Sequence, residues 1–125
     1  MHIYVAHSSG FDYQKKLYTP IRGSHLNTEH HIVFPHERAD VFVNTKEIIE
    51  SSTLVLAEVS YPSTGLGIEL GWADAAQIPI ICMYAEGSKP SEALRAISAV
   101  FAQYQSPKDM VEKITTALAA LSSTM

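Results

Sequence analysis

The sequence predicts an α/β domain in which a parallel sheet carries helices on both faces. Strand-like segments alternate with helix-like ones along all 125 residues. The runs Leu54–Val59 and Ile78–Tyr84 are apolar almost throughout rather than alternating, as expected of strands covered on both sides. No repeat, low-complexity tract or linker interrupts the chain. One domain spanning residues 1–125 is therefore expected, large enough to bury a core without covalent staples.

Taken in order, His2–Ala6 is a short apolar strand that ends in the turn His7-Ser-Ser-Gly10. Tyr13, Leu17 and Ile21 recur at helical spacing, and Pro20 is expected to end or bend that helix. Residues 23–29 read as polar connection. His31–Phe34 forms a second strand, closed by Pro35-His36-Glu37, and residues 38–43 give no clear pattern. Asn44 is placed to cap a helix over Thr45–Ser51. A third strand covers 53–59 and a helix follows over 66–77. Pro79 leads a fourth strand. Gly87–Pro90 turns the chain into a helix through Leu94 and Ile97, and Phe101–Tyr104 reads as a short fifth strand. The last helix opens on Ser106-Pro107-Lys108-Asp109, with a capping Ser, Pro at the first helical position and an acid at the third. Met110, Ile114, Ala117, Leu118 and Leu121 form its apolar stripe.

Composition narrows the function. At 46% hydrophobic and 18% charged residues, the chain has the make-up of an ordinary soluble globular protein. Its net charge of −4 argues against a nucleic-acid polymer as partner, since phosphate backbones demand a basic surface. One small phosphorylated ligand needs only a few local donors and stays open. The lone Cys82 excludes an intrachain disulfide and a Cys-cluster metal site, and its apolar surroundings place it in the core. No apolar stretch approaches the roughly 18 residues of a membrane span. The chain enters a strand with no basic segment before it, so no signal peptide and a cytoplasmic protein are expected.

The stretch Ser60–Ala73 concentrates the chemistry. It follows an apolar strand and opens a helix, which is where open α/β sheets bind ligands. Gly65 and Gly67 permit close approach to the backbone, and the helix start offers free N–H groups to an anion. Glu69 sits just beyond, near the hydroxyls of Ser60, Ser63 and Thr64. A solvated carboxylate on an ordinary helix is the alternative for Glu69, and a plain helix cap is the alternative for Ser63. Ser8, Ser9 and Gly10 end the first strand, where ligand contacts and turn chemistry explain them equally. His36 closes the second strand at the same sheet end as Glu69 if the sheet is parallel. Glu58 reads as a structural ion-pair or edge residue, because alternation points it toward a neighbour rather than the cleft. Tyr61 and Trp72 are packing residues or base-stacking ones, and Asp12 and Tyr13 stay open. A metal pair at His30 and His31 is disfavoured, since adjacent strand residues face opposite ways.

Ala57-Glu58-Val59, Ser60-Tyr61-Pro62-Ser63, Gly65-Leu66-Gly67-Ile68-Glu69-Leu70-Gly71-Trp72-Ala73 and Pro79-Ile80-Ile81-Cys82 together resemble the nucleoside 2-deoxyribosyltransferase superfamily. The likeness is greatest to the branch that hydrolyses the N-glycosidic bond of 2′-deoxynucleoside 5′-monophosphates. The resemblance implies a flavodoxin-like three-layer fold with a five-stranded parallel sheet, a dimer or larger homo-oligomer, a nucleoside or nucleotide as small-molecule partner, and neither metal nor organic cofactor. It implies that Glu69 is the nucleophile attacking C1′ and that Ser63 binds the 5′-phosphate. Ser91 falls near a second phosphate-binding Ser contributed by a neighbouring subunit, and Ser8, Ser9 and Gly10 fall where sugar or phosphate is held. Two positions depart from the pattern. The assisting Asp about two dozen residues before the nucleophile falls on Thr45, with Asp40 and Glu47 the nearest acids and neither in register. The Tyr often preceding the nucleophile is Ile68.

Retaining cleavage needs one carboxylate to attack the anomeric carbon and a second group to manage the proton. Glu69 suits the first role; Glu58, His36, Glu37, Asp40 and Glu47 are the candidates for the second. Water as acceptor gives hydrolysis, and a second base gives transfer. Two rivals stand beside this reading. One is an NAD-cleaving domain of the Toll/interleukin-receptor type, and the other is a nucleotide-binding module that has lost catalysis.

Overall fold

In a computed structural model, residues 1–37 and 43–124 are described. Five strands form one all-parallel sheet: β1 (His2–His7), β2 (His31–Val33), β3 (Leu54–Glu58), β4 (Ile80–Ala85) and β5 (Val100–Tyr104). Their order is β2-β1-β3-β4-β5, the flavodoxin-like order. The winding reverses between β1 and β3, which is the topological switch point of such sheets. Helices cover both faces, as the apolar strands demand.

Strand alternation divides the core into two layers. Ile3, Val5, Leu54, Leu56, Ile81 and Met83 face one side. There they meet a π-helical turn (Gln14–Tyr18), α1 (Thr19–Arg22), α2 (Leu26–Glu29) and α5 (Pro107–Thr124). Tyr4, Ala6, Val55, Ala57, Ile80 and Cys82 face the other. That layer is closed by α3 (Thr45–Glu50), α4 (Thr64–Ala75) and a 3₁₀ turn (Glu92–Ala96). Cys82 is fully buried, and burial pushes its thiol up to about 11.

Several element expectations are corrected. Pro20 does not end its helix: it lies at the junction of the π-helical turn and α1. The wider turn joins the Thr19 N–H to the Gln14 carbonyl, and the Pro lacks an N–H just where the bonding pattern changes. The connection 23–29 contains α2, seeded by the buried Leu26. Asn44 stands at the start of α3 without capping it through its side chain. The segment through Leu94 is 3₁₀ rather than α. α4 begins at Thr64, two residues before the expected start, because Ser63 caps it by accepting the Leu66 N–H. Gly65 and Gly67 are thus helical, not loop, residues. Ser106 caps α5 as expected, accepting the Asp109 N–H at 3.1 Å while Asp109 accepts the Gln105 N–H at 2.9 Å. No helix among the described residues is long and apolar enough to cross a membrane.

Candidate active site

Glu69 lies in the second turn of α4, half-buried. Its Oε2 accepts a hydrogen bond from Tyr4 Oη at 2.6 Å. Tyr4 occupies the middle of β1 on the side facing α3 and α4, and is fully buried. Thr45, the first residue of α3, stands close enough to the same phenol for its side chain to act on it. Burial, and then the adjacent Glu69 carboxylate, hold the Tyr4 hydroxyl well above the usual tyrosine range. Tyr4 is therefore a proton-bearing donor at neutral pH, and it engages one oxygen of the Glu69 carboxylate.

A second cluster stands at the carboxyl end of β1, on the other side of the sheet. His7 is buried, its Nδ1 bonded to the Ser8 carbonyl at 2.8 Å and its Nε2 to Tyr18 Oη at 2.6 Å. A carbonyl can only accept, so Nδ1 carries the proton and Nε2 accepts from Tyr18. Burial lowers the His7 pKa, which keeps the ring neutral. Tyr18 Oη also accepts the His36 backbone N–H at 3.2 Å, and the exposed His36 ring lies 5.5 Å from the rings of both His7 and Tyr13. Phe11 stacks on Tyr61 at 4.9 Å. In this aromatic wall, burial, and then the neighbouring Tyr13 and Glu37 ahead of the weaker influence of Glu69, hold the Tyr18 hydroxyl above the usual tyrosine range.

The third group surrounds Glu58. The central position of β3 corrects the edge assignment. Glu58 is buried, and its Oε1 accepts the Ser60 N–H at 2.7 Å. Oε2 accepts Ser60 Oγ at 2.9 Å and the Tyr104 hydroxyl. Ser60 Oγ accepts in turn from the Ala85 N–H at 2.8 Å.

The expected residues divide accordingly. Ser8 is buried and its Oγ receives the Gly10 N–H at 3.0 Å, forming the turn that leaves Ser9 and Gly10 exposed. His36 joins the aromatic wall. The hydroxyl of Ser60 is occupied by Glu58 and Ala85. Ser63 is exposed at the start of α4, and with Ser91, Gly67 and Leu94 it lines a groove of about 310 Å³ between α4 and the 3₁₀ turn. That groove runs along one flank of α4 while Glu69 turns to the other, toward α3. Gly65 and Gly67 face open space. Among the acids, Glu37 pairs with Arg22 at 2.7 Å, Glu47 is exposed on α3, and Asp40 lies outside the described residues. Asp12 receives the Lys15 N–H. Trp72 packs against the core. Tyr4 was not among the expected site residues. Its signal was a hydroxyl in an otherwise aliphatic strand, which once buried must find a partner.

No family model matches the chain. Two curated proteins do. The chain is 37% identical over 51 residues to a protein of Syntrophotalea carbinolica bearing the name 2′-deoxynucleoside 5′-phosphate N-hydrolase 1, covering 41% of this chain and 36% of that one. It is 40% identical over 57 residues to 5-hydroxymethyl-dUMP N-hydrolase of Branchiostoma floridae, covering 42% of this chain and 54% of that one. The chain resembles the nucleoside 2-deoxyribosyltransferase superfamily. Its matches span about a third to a half of those relatives' length.

The fold agrees. A CMP N-glycosidase of Clostridium botulinum superposes with a TM-score of 0.66 at 21% identity, over 92% of this chain and 99% of that one. A 2-deoxyribosyltransferase of Bacillus psychrosaccharolyticus gives 0.67 at 18%, over 88% and 90%. Against the superfamily pattern, Thr45 stands where the assisting Asp is expected, and the structure brings that position to Tyr4 beside Glu69.

Proposed function

We propose that this chain cleaves or transfers the N-glycosidic bond of a nucleoside or its 5′-monophosphate, with Glu69 as nucleophile. The observation that carries the reading is the half-buried Glu69 carboxylate, oriented by a buried phenol and held on the helix that follows the strand at the switch point. The two N-hydrolases similar to this chain support it.

In this reading the carboxylate attacks C1′ as the bond to the base breaks. The electron pair of that bond leaves with the base, and a glycosyl ester forms on Glu69. Water then returns the enzyme to its resting state, or a second base captures the sugar. Tyr4 holds the carboxylate in the attacking orientation. The exposed His36 and the aromatic wall flank the leaving base. Ser63 and the first N–H groups of α4 receive the 5′-phosphate. Ser8, Ser9 and Gly10 border the sugar. Ser91 lines the same groove as Ser63; in this reading the protein is a homo-oligomer, and Ser91 reaches the 5′-phosphate from a neighbouring subunit, as the superfamily resemblance implies.

Thr45 favours a second reading. A hydroxyl beside Tyr4 hydrogen-bonds but does not take up a proton as a carboxylate would, which suits a nucleotide-binding module without turnover. One chromatographic experiment separates the two. The protein and Glu69→Ala are incubated with deoxynucleosides, their 5′-monophosphates, ribonucleotides and NAD, with and without a second free base. Glu69-dependent base release or exchange is expected. Binding without any release supports the non-catalytic module, and cleavage of NAD alone assigns the domain to the Toll/interleukin-receptor type.

A further inference from the structure

Among the described residues Glu58 is the only buried acid, 1% exposed. Taking a carboxylate out of water is costly, and a well-packed apolar residue at such a place is often as stable. Fold stability alone therefore gives weak reason for a carboxyl group here. What its donors do gives a better one. Two of them, the Ser60 N–H and hydroxyl, open the short segment Ser60–Ser63 that leads into α4, and the third is Tyr104 at the end of β5. Ser60 Oγ then takes the N–H of Ala85, the last residue of β4. One carboxylate thus ties the exit of β3 to the exits of β4 and β5. Only Tyr61 and Pro62 separate this knot from Ser63, which caps α4. Glu69 follows on the same helix.

We propose that Glu58 is a positioning residue for the 5′ end of the substrate: it fixes the turn out of β3 and so holds Ser63 and the first N–H groups of α4 in register with Glu69. The inference rests on the nucleotide reading above. It predicts an effect on how the 5′-phosphate is held, not on how fast the glycosidic bond breaks.

The test uses calorimetric binding of the common 2′-deoxynucleoside 5′-monophosphates and of the corresponding nucleosides. Glu69→Ala serves as parent so that no turnover intervenes. Into it are introduced Glu58→Gln and Tyr104→Phe, with thermal midpoints recorded. Tyr104→Phe removes one donor and strands no partner, so it carries the test even where Glu58→Gln fails to fold. Each variant is expected to weaken the monophosphate about fivefold while nucleoside affinity stays within about twofold. Equal weakening of both ligands, or a lowered midpoint with unchanged monophosphate affinity, overturns the proposal and leaves Glu58 structural. A parent that binds monophosphate no better than nucleoside overturns it too. Failure of the cleavage reading is seen separately, as absence of base release by the wild-type chain.

Discussion

Replacing Tyr4 by Phe removes one oxygen from a fully buried position and takes away the donor that orients Glu69 Oε2. Hydrogen bonds to charged groups are the stronger kind. Tyr4→Phe should therefore lower the rate of base release by about 10- to 100-fold while the protein still folds. Single-turnover rates beside a thermal unfolding curve would check this, and unchanged turnover would remove Tyr4 from the mechanism. Glu69 was legible in the sequence because local signals mark it: an apolar strand before it and a Ser- and Gly-rich approach. Tyr4 was not legible, because its partner lies 65 residues away and only the packing of α4 on β1 joins them. The partners of Ser60 are hidden from the sequence for a similar reason. A loop serine looks available for ligand until the turn shows its hydroxyl engaged by Glu58 and Ala85.

Among the elements, the end of α4 shows what periodicity misses. The sequence predicts a helix to residue 77, but α4 stops at Ala75, and Gln77 adopts a left-handed backbone with φ 60°. Ile78 and Gln77 close the helix by donating to the Ala73 and Asp74 carbonyls. Glycine is the residue that takes this conformation freely. Gln77→Gly should therefore stabilise the fold by about 1 kcal/mol, read as a higher midpoint in urea. A lower midpoint would mean that the Gln side chain contributes more than the strain costs. The strands were legible because apolar runs in covered sheets are hard to mistake, as were Ser106-Pro107 and the stripe of α5. The existence of α2, and the π and 3₁₀ character of the turns at Gln14–Tyr18 and Glu92–Ala96, were not. Each is a single turn set by tertiary packing, too short for periodicity to fix its type.

At the scale of the molecule, the parallel sheet followed from the alternation of elements, whereas the order β2-β1-β3-β4-β5 depends on where each crossover lands. That order makes His7 and Glu58 register neighbours at the carboxyl end of the sheet. His7 links the ends of β1 and β2 through Tyr18, and it does so as a neutral ring. Its folded pKa lies below the ordinary value of about 6.5. As pH falls below about 6.5, the unfolded chain takes up a proton that the folded His7 resists, so stability is lost; above that pH its contribution is complete. Denaturation midpoints at pH 7.5 and 5.5 should therefore fall further for the wild-type chain than for His7→Gln, and parallel curves would contradict a neutral His7.

The measurement that bears most directly on the central claim is acid quenching during turnover of a 2′-deoxynucleoside 5′-monophosphate, followed by mass spectrometry of the peptide that contains Glu69. A covalent deoxyribosyl phosphate on that peptide, absent from Glu69→Ala, is the predicted result. Sustained base release by Glu69→Ala, with no adduct in either protein, would show that Glu69 is not the nucleophile.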